Sequence, residues 1–437
     1  MPNGINKNNH QLLLLILFIT LAMGSKAQKL SEEEKNIVEH INKDMPHTIQ
    51  GLAEFMNINS GTLIIEGVEK TGAFLGKRFD SIGFTTEWIS TPDSLKRAGH
   101  LVAWRKGTKG KKLFLIGHLD TVFEPDMPAN PYKVLNRTTA AGQGINDMKG
   151  GDLMILAALK VLNQLGYLEN TSITAYFTGD EEKTGSPVSV SRSDFIDRAR
   201  QSDIALAFET AQGLNIVATS RRGSSSWQLN VFGIQAHSSG VFSNGYGAIY
   251  EASRIVNTFR ERLSNEKYLT FNPGMFIGGT EISYDSSNMR AEGFGKLNII
   301  SPSAIVHGDL RFLSERQKEA ARLKMRSIVM MKNLPGTRAE ISFRDNIPAM
   351  EPTPGNDRLL QLLNKVSIDM GIGKTLPGDP GSRGAGDISY IAKYVDCLDG
   401  LGASGKGSHA PGETINLAEF PSLIQRAAIF IYRLTRE

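Results

Sequence analysis

Five segments of this chain end an apolar run on residues that can hold a metal ion or move a proton. In Leu113-Phe114-Leu115-Ile116-Gly117-His118-Leu119-Asp120 a strand-length apolar stretch stops at His118, with Asp120 two residues on. Ligands of open α/β sheets collect beyond the carboxyl ends of strands, so His118 stands where chemistry is done. Read alone, it is equally a loop histidine followed by a helix-capping aspartate. The Gly-rich loop Gly142-Gln143-Gly144-Ile145-Asn146-Asp147 then enters an apolar helix, where Asp147 is either an N-cap or a ligand. Its glycines suggest a phosphate cradle, but no Gly-Lys-Ser/Thr follows and Asp147 would repel phosphate.

The third segment, Thr178-Gly179-Asp180-Glu181-Glu182, sets three acids in a row at a strand end. Such carboxylates repel one another unless cations neutralise them or water surrounds them. The run Ile204 to Phe208 leads into Glu209, and Gly405-Lys406-Gly407-Ser408-His409 closes the series. Two histidines and several acids make the N/O ligand set that suits Zn²⁺ or a similar divalent ion. Composition agrees: with one Cys in 437 residues, thiolate zinc sites, iron–sulfur clusters and intramolecular disulfides are excluded. Basic and acidic residues (49 and 45) alternate along the chain, which is not the pattern of a nucleic-acid surface, and no polyanionic partner is expected.

The elements that must position these residues follow from periodicity. Ser31 and Glu34 read as a capping box, and Ile37, Ile41, Met45, Ile49, Leu52 and Phe55 follow at helical spacing, with an interruption expected at Pro46. A second helix is expected near Glu66 to Ile82, and a third over Lys149 to Leu165. Strand-length runs lie at Phe84 to Ile89, Leu101 to Trp104, Leu113 to Ile116, Ile173 to Phe177 and Ile204 to Phe208. This alternation predicts an α/β domain with a mostly parallel central sheet covered on both faces.

From about Thr219 the pattern changes. Ser224 to Phe232, Gly293 to Ile300, Ile305 to Phe312 and Arg338 to Phe343 read as strands, with helices at Gly247 to Leu263 and Ser314 to Met331. That order is ferredoxin-like. After Pro348, Pro352 and Pro354 the α/β pattern resumes with a helix at Arg358 to Met370. The expected organisation is therefore a catalytic domain of residues 28–218 and 348–437, interrupted by an inserted α+β domain of residues 219–347.

Residues 1–27 read as a leader. Lys7 and His10 precede the apolar run Leu12 to Met23, and Ser25-Lys26-Ala27 supplies small residues for signal-peptidase cleavage. The run is short for a membrane span and no basic stop-transfer flank follows, so an uncleaved anchor is the lesser reading. The expectation is an exported bacterial protein, periplasmic or secreted, with no stable membrane association after cleavage.

His118-x-Asp120, Gly144-x-x-Asp147-Met148-Lys149-Gly150-Gly151, Asp180-Glu181-Glu182 and the late His409 resemble the motifs of the di-zinc metallopeptidases that include carboxypeptidase G, aminoacylase and succinyl-diaminopimelate desuccinylase. The resemblance spans almost the whole chain past the leader. It implies two Zn²⁺ per chain, with Co²⁺ or Mn²⁺ as alternatives. One would be held by His118, Asp147 and Glu209 and the other by Asp147, Glu182 and His409, with Asp147 shared. It further implies that Asp120 orients His118, and that Glu181 is the general base for a water acidified by the metals.

In the inserted domain, Gly233-Ile234-Gln235-Ala236-His237-Ser238-Ser239-Gly240 resembles the family segment whose histidine stabilises the tetrahedral oxyanion, across a dimer interface or on domain closure. Asn298 and Arg311, placed on the two predicted middle strands, match positions that hold a substrate carboxylate; otherwise Arg311 is a partner for Asp309. Gly381-Ser382-Arg383-Gly384-Ala385-Gly386-Asp387 resembles the Gly-rich substrate loop, where Arg383 binds a carboxylate or pairs with Asp387. The implied activity is hydrolysis of an amide next to a free carboxylate in a small peptide or N-acyl amino acid, as in a glutamate carboxypeptidase. Aminoacylase, dipeptidase or aminopeptidase activity is the alternative within the family, a non-catalytic binding protein the alternative outside it. The family's inserted domain often mediates homodimers.

Overall fold

The computed structural model describes residues 29–285 and 288–437; the leader expected at residues 1–27 lies outside them. Helix α1 (Glu32–Met56) opens with the expected capping box of Ser31 and Glu34. It runs through Pro46 without interruption. Ile37 and Ile41 on one side of the proline and Leu52 and Phe55 on the other are buried in a single core, and that packing outweighs the lost backbone bond.

After α2 (Ile65–Ser81) come β1 (Thr85–Ile89), β2 (His100–Arg105), β3 (Lys109–His118), α3 (Lys149–Gln164), β4 (Thr171–Thr178) and β5 (Ile204–Ala207). The chain then forms β6 (Gly223–Gly233), α4 (Ala248–Leu263), β7 (Thr270–Gly279), β8 (Ser303–Phe312), α5 (Glu315–Val329) and β9 (Thr337–Asp345). It returns through α6 (Pro354–Asp369) and β10 (Asp396–Leu398) to α7 (Phe420–Leu434).

The central sheet has the order β1-β2-β4-β3-β5-β10. The pairs from β4 through β10 are parallel; those of β1 with β2 and β2 with β4 are antiparallel. Both faces are covered. On β3, Leu113 and Leu115 point into a core shared with α1, α3 and α7, while Phe114 and Ile116 point into a second one with Phe195, Ile388 and Ile391. A strand buried on both faces explains the unbroken apolar run that precedes His118.

The second sheet is fully antiparallel, ordered β7-β8-β6-β9. With α4 and α5 on one face it is ferredoxin-like, as expected. Trp227, Leu229 and Val231 of β6 alternate inward to meet Ile255 and Phe259 of α4 and Met325 of α5. One strand differs from the sequence reading: the second strand is β7, not Gly293 to Ile300. β7 contains Asn272-Pro273-Gly274, which reads as a turn. It sits at a sheet edge with a register shift between Pro273 and Met275, where a strand proline is tolerated. Arg290–Phe294 instead pairs with Glu281–Asp285 as a hairpin, so Asn298 lies in the exposed loop beyond it.

The two chain crossings between the sheets run side by side. The Arg221 N–H donates to the Met350 carbonyl at 2.9 Å, and the Met350 N–H returns the bond at 3.0 Å.

Candidate metal centre

His118 ends β3, and Glu182 and Glu209 follow its parallel neighbours β4 and β5, so the sheet delivers them to one end. Asp147 and His409 come from loops. A small antiparallel sheet of Lys133–Asn136, Thr139–Ala141, Gly405–Lys406 and Thr414–Asn416 brings those loops together, because Thr139–Ala141 leads into the Asp147 loop and the last two segments flank His409. His409 itself takes the left-handed conformation at φ 65°, uncommon for a residue with a side chain.

The convergence is close. His118 Nε2 lies 3.3 Å from Asp147 Oδ1 and 3.8 Å from Glu209 Oε1. His409 Nε2 lies 3.1 Å from Asp147 Oδ2 and 3.3 Å from Glu182 Oε2. Two triads result, His118–Asp147–Glu209 and Asp147–Glu182–His409, sharing Asp147; His118, Glu181 and Glu182 form a third group. His118 is buried, whereas the His409 side chain is 59% exposed, so the centre opens to solvent on that side.

Asp120 occupies the middle of the arrangement. Its backbone carbonyl is 3.0 Å from His118 Nδ1 and accepts that ring N–H, which turns Nε2 toward Asp147. The carboxylate does more than the sequence suggested. Besides standing 3.5 Å from the same ring nitrogen, it accepts the backbone N–H groups of Glu181 (3.0 Å) and Glu182 (3.1 Å) and the hydroxyl of Thr62 (2.7 Å).

Charge in this pocket is out of balance. Burial and the charge of Glu209 push Glu181 well above the usual carboxylate range. Burial and Asp147 push Glu182 up to about 10, and the same two causes push Glu209 up to about 7. Burial opposes charge on His118, but its bonds to Asp120 and Asp147 hold its pKa well above the ordinary imidazole value. Glu182 Oε1 is buried without a hydrogen-bond donor. A site that takes up protons on its acids and imidazoles to offset surplus negative charge is one that divalent cations would neutralise, with release of those protons. The oxygen and imidazole donors fit such ions.

Three contributors had no signal in the sequence. The buried Glu413 carboxylate accepts the N–H groups of Gly144 (3.0 Å), Asn146 (2.7 Å) and Asp147 (2.8 Å), and so sets the loop that presents Asp147. Burial raises the Glu413 pKa to about 7 against the pull of these bonds. Arg221 pairs with Asp399 at 2.5 Å and donates to the carbonyls of Gly384 and Ala385. Arg192, fully buried, pairs with Asp180 and Asp387. Their partners lie 12 to 269 residues away, where no local pattern points.

The remaining expected site residues fall elsewhere. Among the described residues, no hydrogen bond or ion pair joins His237, Asn298 or Arg311 to the carboxylate cluster. His237 is exposed, and its Nδ1 accepts the Ser239 N–H at 3.2 Å, which puts the neutral-ring proton on Nε2. The Asn298 carbonyl accepts the Ser238 N–H at 2.9 Å, so Asn298 and His237 are neighbours although neither sits on a strand. Arg311 does lie on β8, paired with Asp309 at 2.7 Å. Arg383 does not pair with Asp387. Its guanidinium donates to the Thr210 carbonyl at 2.6 Å, while Asp387 is engaged by Arg192 and Thr178.

Comparison with known proteins agrees with this geometry. Residues 114–433 match the model described as Peptidase family M20/M25/M40. Carboxypeptidase G2 of Pseudomonas sp. (strain RS-16) is 28% identical over 410 residues, covering 93% of this chain and 94% of that protein. Among solved structures, aminopeptidase PepT of Bacillus cereus ATCC 10987 superposes with a TM-score of 0.72 at 17% identity, over 89% of this chain and 98% of that one. The Bacillus subtilis YXEP protein, described as a dinuclear metal-binding peptidase, superposes with a TM-score of 0.63 at 12% identity, over 90% and 98%.

Proposed function

The chain belongs to peptidase family M20/M25/M40 and is a hydrolase of peptide or amide bonds, and within that family we propose an exported, zinc-dependent exopeptidase that cleaves the amide next to a free carboxylate, as in a C-terminal glutamate. The observation that carries this reading is the pair of triads sharing Asp147, with Glu181 alongside them. His118, Asp147 and Glu209 would hold one ion; Asp147, Glu182 and His409 the other. Bound there, two zinc ions supply Lewis acidity and bring the pKa of a coordinated water toward neutrality.

The chain's own groups do the rest. Glu181 is not needed as a ligand in either triad, and burial raises its proton affinity. It takes a proton from the attacking water and returns it to the leaving amine. Asp120 fixes the backbone of Glu181 through its N–H, so the base is held while its carboxylate faces the reacting atoms. His237 offers Nε2–H to the developing oxyanion, arriving by domain closure or from a second copy of the chain. Arg311 and Asn298 receive the substrate carboxylate, Arg311 exchanging Asp309 for it. Arg383 stands by as a second cation beside Thr210, next in sequence to Glu209.

β7 stands at the end of its sheet and carries Phe276 at 43% exposure, and a homodimer through this domain is part of the proposal. The test is hydrolysis of N-acyl glutamates with a free or an amidated carboxyl group. The free acid should be cleaved with kcat/KM about 10- to 100-fold higher, since an amide cannot make the charge-assisted pair with Arg311. Glu181→Gln should retain metal and lose about 10²-fold or more in kcat. Equal cleavage of both substrates would sink the carboxylate reading, and an active Glu181→Gln the base assignment.

A further inference from the structure

The turn that bears Glu181 and Glu182 is gripped from below by a buried ion cluster. Arg192, between two short helices (Val188–Ser191 and Ser193–Ala199), has no exposed surface. One guanidinium nitrogen pairs with Asp180 Oδ1, and a second donates to the Asp180 carbonyl at 3.2 Å. Nε donates to Asp387 Oδ1 at 2.8 Å. Asp180 Oδ2 accepts from Ser191 Oγ (2.7 Å) and the Gly185 N–H (2.8 Å), and Asp387 Oδ2 accepts from Thr178 Oγ1 (2.6 Å).

Each contact lands on the turn or on the Gly-rich loop. Thr178 ends β4, Asp180 immediately precedes Glu181, and Asp387 closes the loop that begins at Gly381. None of these three side chains faces the metal ligands through a hydrogen bond or ion pair among the described residues. Their polarity is spent inward, on one another. A planar fork that holds two carboxylates and a carbonyl in fixed directions locates a backbone more tightly than a point charge does.

We propose that Arg192 is a positioning residue for the general base. Acting through Asp180 and Asp387, it fixes the Thr178–Glu182 turn relative to the Gly381–Asp387 loop, so that the Glu181 carboxylate meets the attacking water in register with bound substrate. The proposal rests on Glu181 being the base. It makes loop and base one mechanical unit: a change that lets either drift lowers the rate of the chemical step more than it weakens the binding of substrate or metal. Misplacement of a catalytic group by about 1 Å costs on the order of 10²-fold in rate.

The test uses the full-length metallated enzyme and compares Arg192→Lys, Thr178→Val and Glu181→Gln for kcat, KM and metal content on one N-acyl glutamate. Lysine keeps the charge but cannot span both carboxylates, so Arg192→Lys should lower kcat about 10²-fold, with KM changed by less than kcat and both metal equivalents still bound at saturating zinc. Thr178→Val breaks only the bond between turn and loop and should lower kcat by about tenfold in the same manner. A folded, fully metallated Arg192→Lys with wild-type kcat, or with a raised KM at constant kcat, overturns the proposal. If Arg192→Lys does not fold, wild-type kcat in Thr178→Val overturns it. Wild-type activity in Glu181→Gln would instead remove the base assignment, a separable failure.

Discussion

Glu413→Gln tests how the loop holding Asp147 is built. In the wild-type chain Glu413 Oε1 accepts the N–H groups of Asn146 and Asp147, and Oε2 accepts that of Gly144, all within 3.0 Å. Glutamine has the same shape but one acceptor oxygen. If that oxygen keeps the Asn146 and Asp147 bonds, the amide NH₂ is pressed against the Gly144 N–H. One charge-assisted bond is then lost outright and a buried donor left unpaired, about 2–3 kcal/mol, while the two surviving bonds are weakened by loss of the charge. Groups that orient metal ligands typically contribute 10- to 100-fold to metal affinity, and Glu413 orients Asp147, the residue common to both candidate triads. Competition of the apo-protein with a chromophoric zinc chelator should therefore show affinity weakened by about 10- to 100-fold. Glu34→Gln is the control: its carboxylate is bonded to Arg433 at 2.6 Å, far from the centre, and its loss should lower the melting temperature without changing zinc affinity. A Glu413→Gln protein that binds zinc like the wild type, or a control that weakens zinc equally, would refute the argument.

Two further outcomes follow from the geometry. Arg311→Ala should lower kcat/KM on an N-acyl glutamate about 10- to 100-fold with unchanged metal content, the range for a charged hydrogen bond, and an unaffected variant would remove the carboxylate-recognition model. His100, which belongs to neither triad, supplies a further pH dependence. Burial, reinforced by the Arg192 charge, lowers its pKa below the ordinary imidazole value; the neutral ring bonds to the Ser191 carbonyl at 3.0 Å and accepts the Gly179 N–H at 3.1 Å. Above about pH 6.5 the ring is neutral in folded and unfolded chains alike and its contribution to stability is fully present. As pH falls below that value only the unfolded chain gains the proton, so stability drops by up to about 1.4 kcal/mol per pH unit until the folded-state pKa is reached. His100→Gln should be less stable at pH 7.5 and lack this component of the slope between pH 6.5 and 5.5 in denaturant melts; parallel slopes would contradict it.

Much of this molecule was legible wherever structure is local. The double-sided burial of β3 shows in the run Leu113 to Ile116, and the capping box of α1 shows in Ser31 and Glu34. His118, Glu182 and Glu209 showed because each lies at or beyond the end of such a run, whereas Asp147 and His409 showed through the Gly-rich loops that carry them. β7 was hidden because Asn272-Pro273-Gly274 carries turn chemistry that an edge strand with a register shift absorbs, and Asn298 was consequently assigned to a strand it does not occupy. Glu413, Arg192 and Arg221 were invisible for a different reason. An exposed carboxylate and one bonded to three backbone N–H groups from residues more than 260 positions away look alike in sequence, since only tertiary folding distinguishes them. Arg311 and Arg383 lie between these cases: their types were informative, but in this conformation their partners are Asp309 and the Thr210 carbonyl.

The most direct measurement is the metal stoichiometry of the reconstituted centre. Protein stripped by chelation and titrated with Zn²⁺ should bind two equivalents per chain, with hydrolysis returning as they bind, and His409→Ala should retain one tight equivalent at the His118 triad. Hydrolysis that survives complete removal of metal, or saturation of the wild-type chain at a single equivalent, would contradict a two-ion centre built around Asp147.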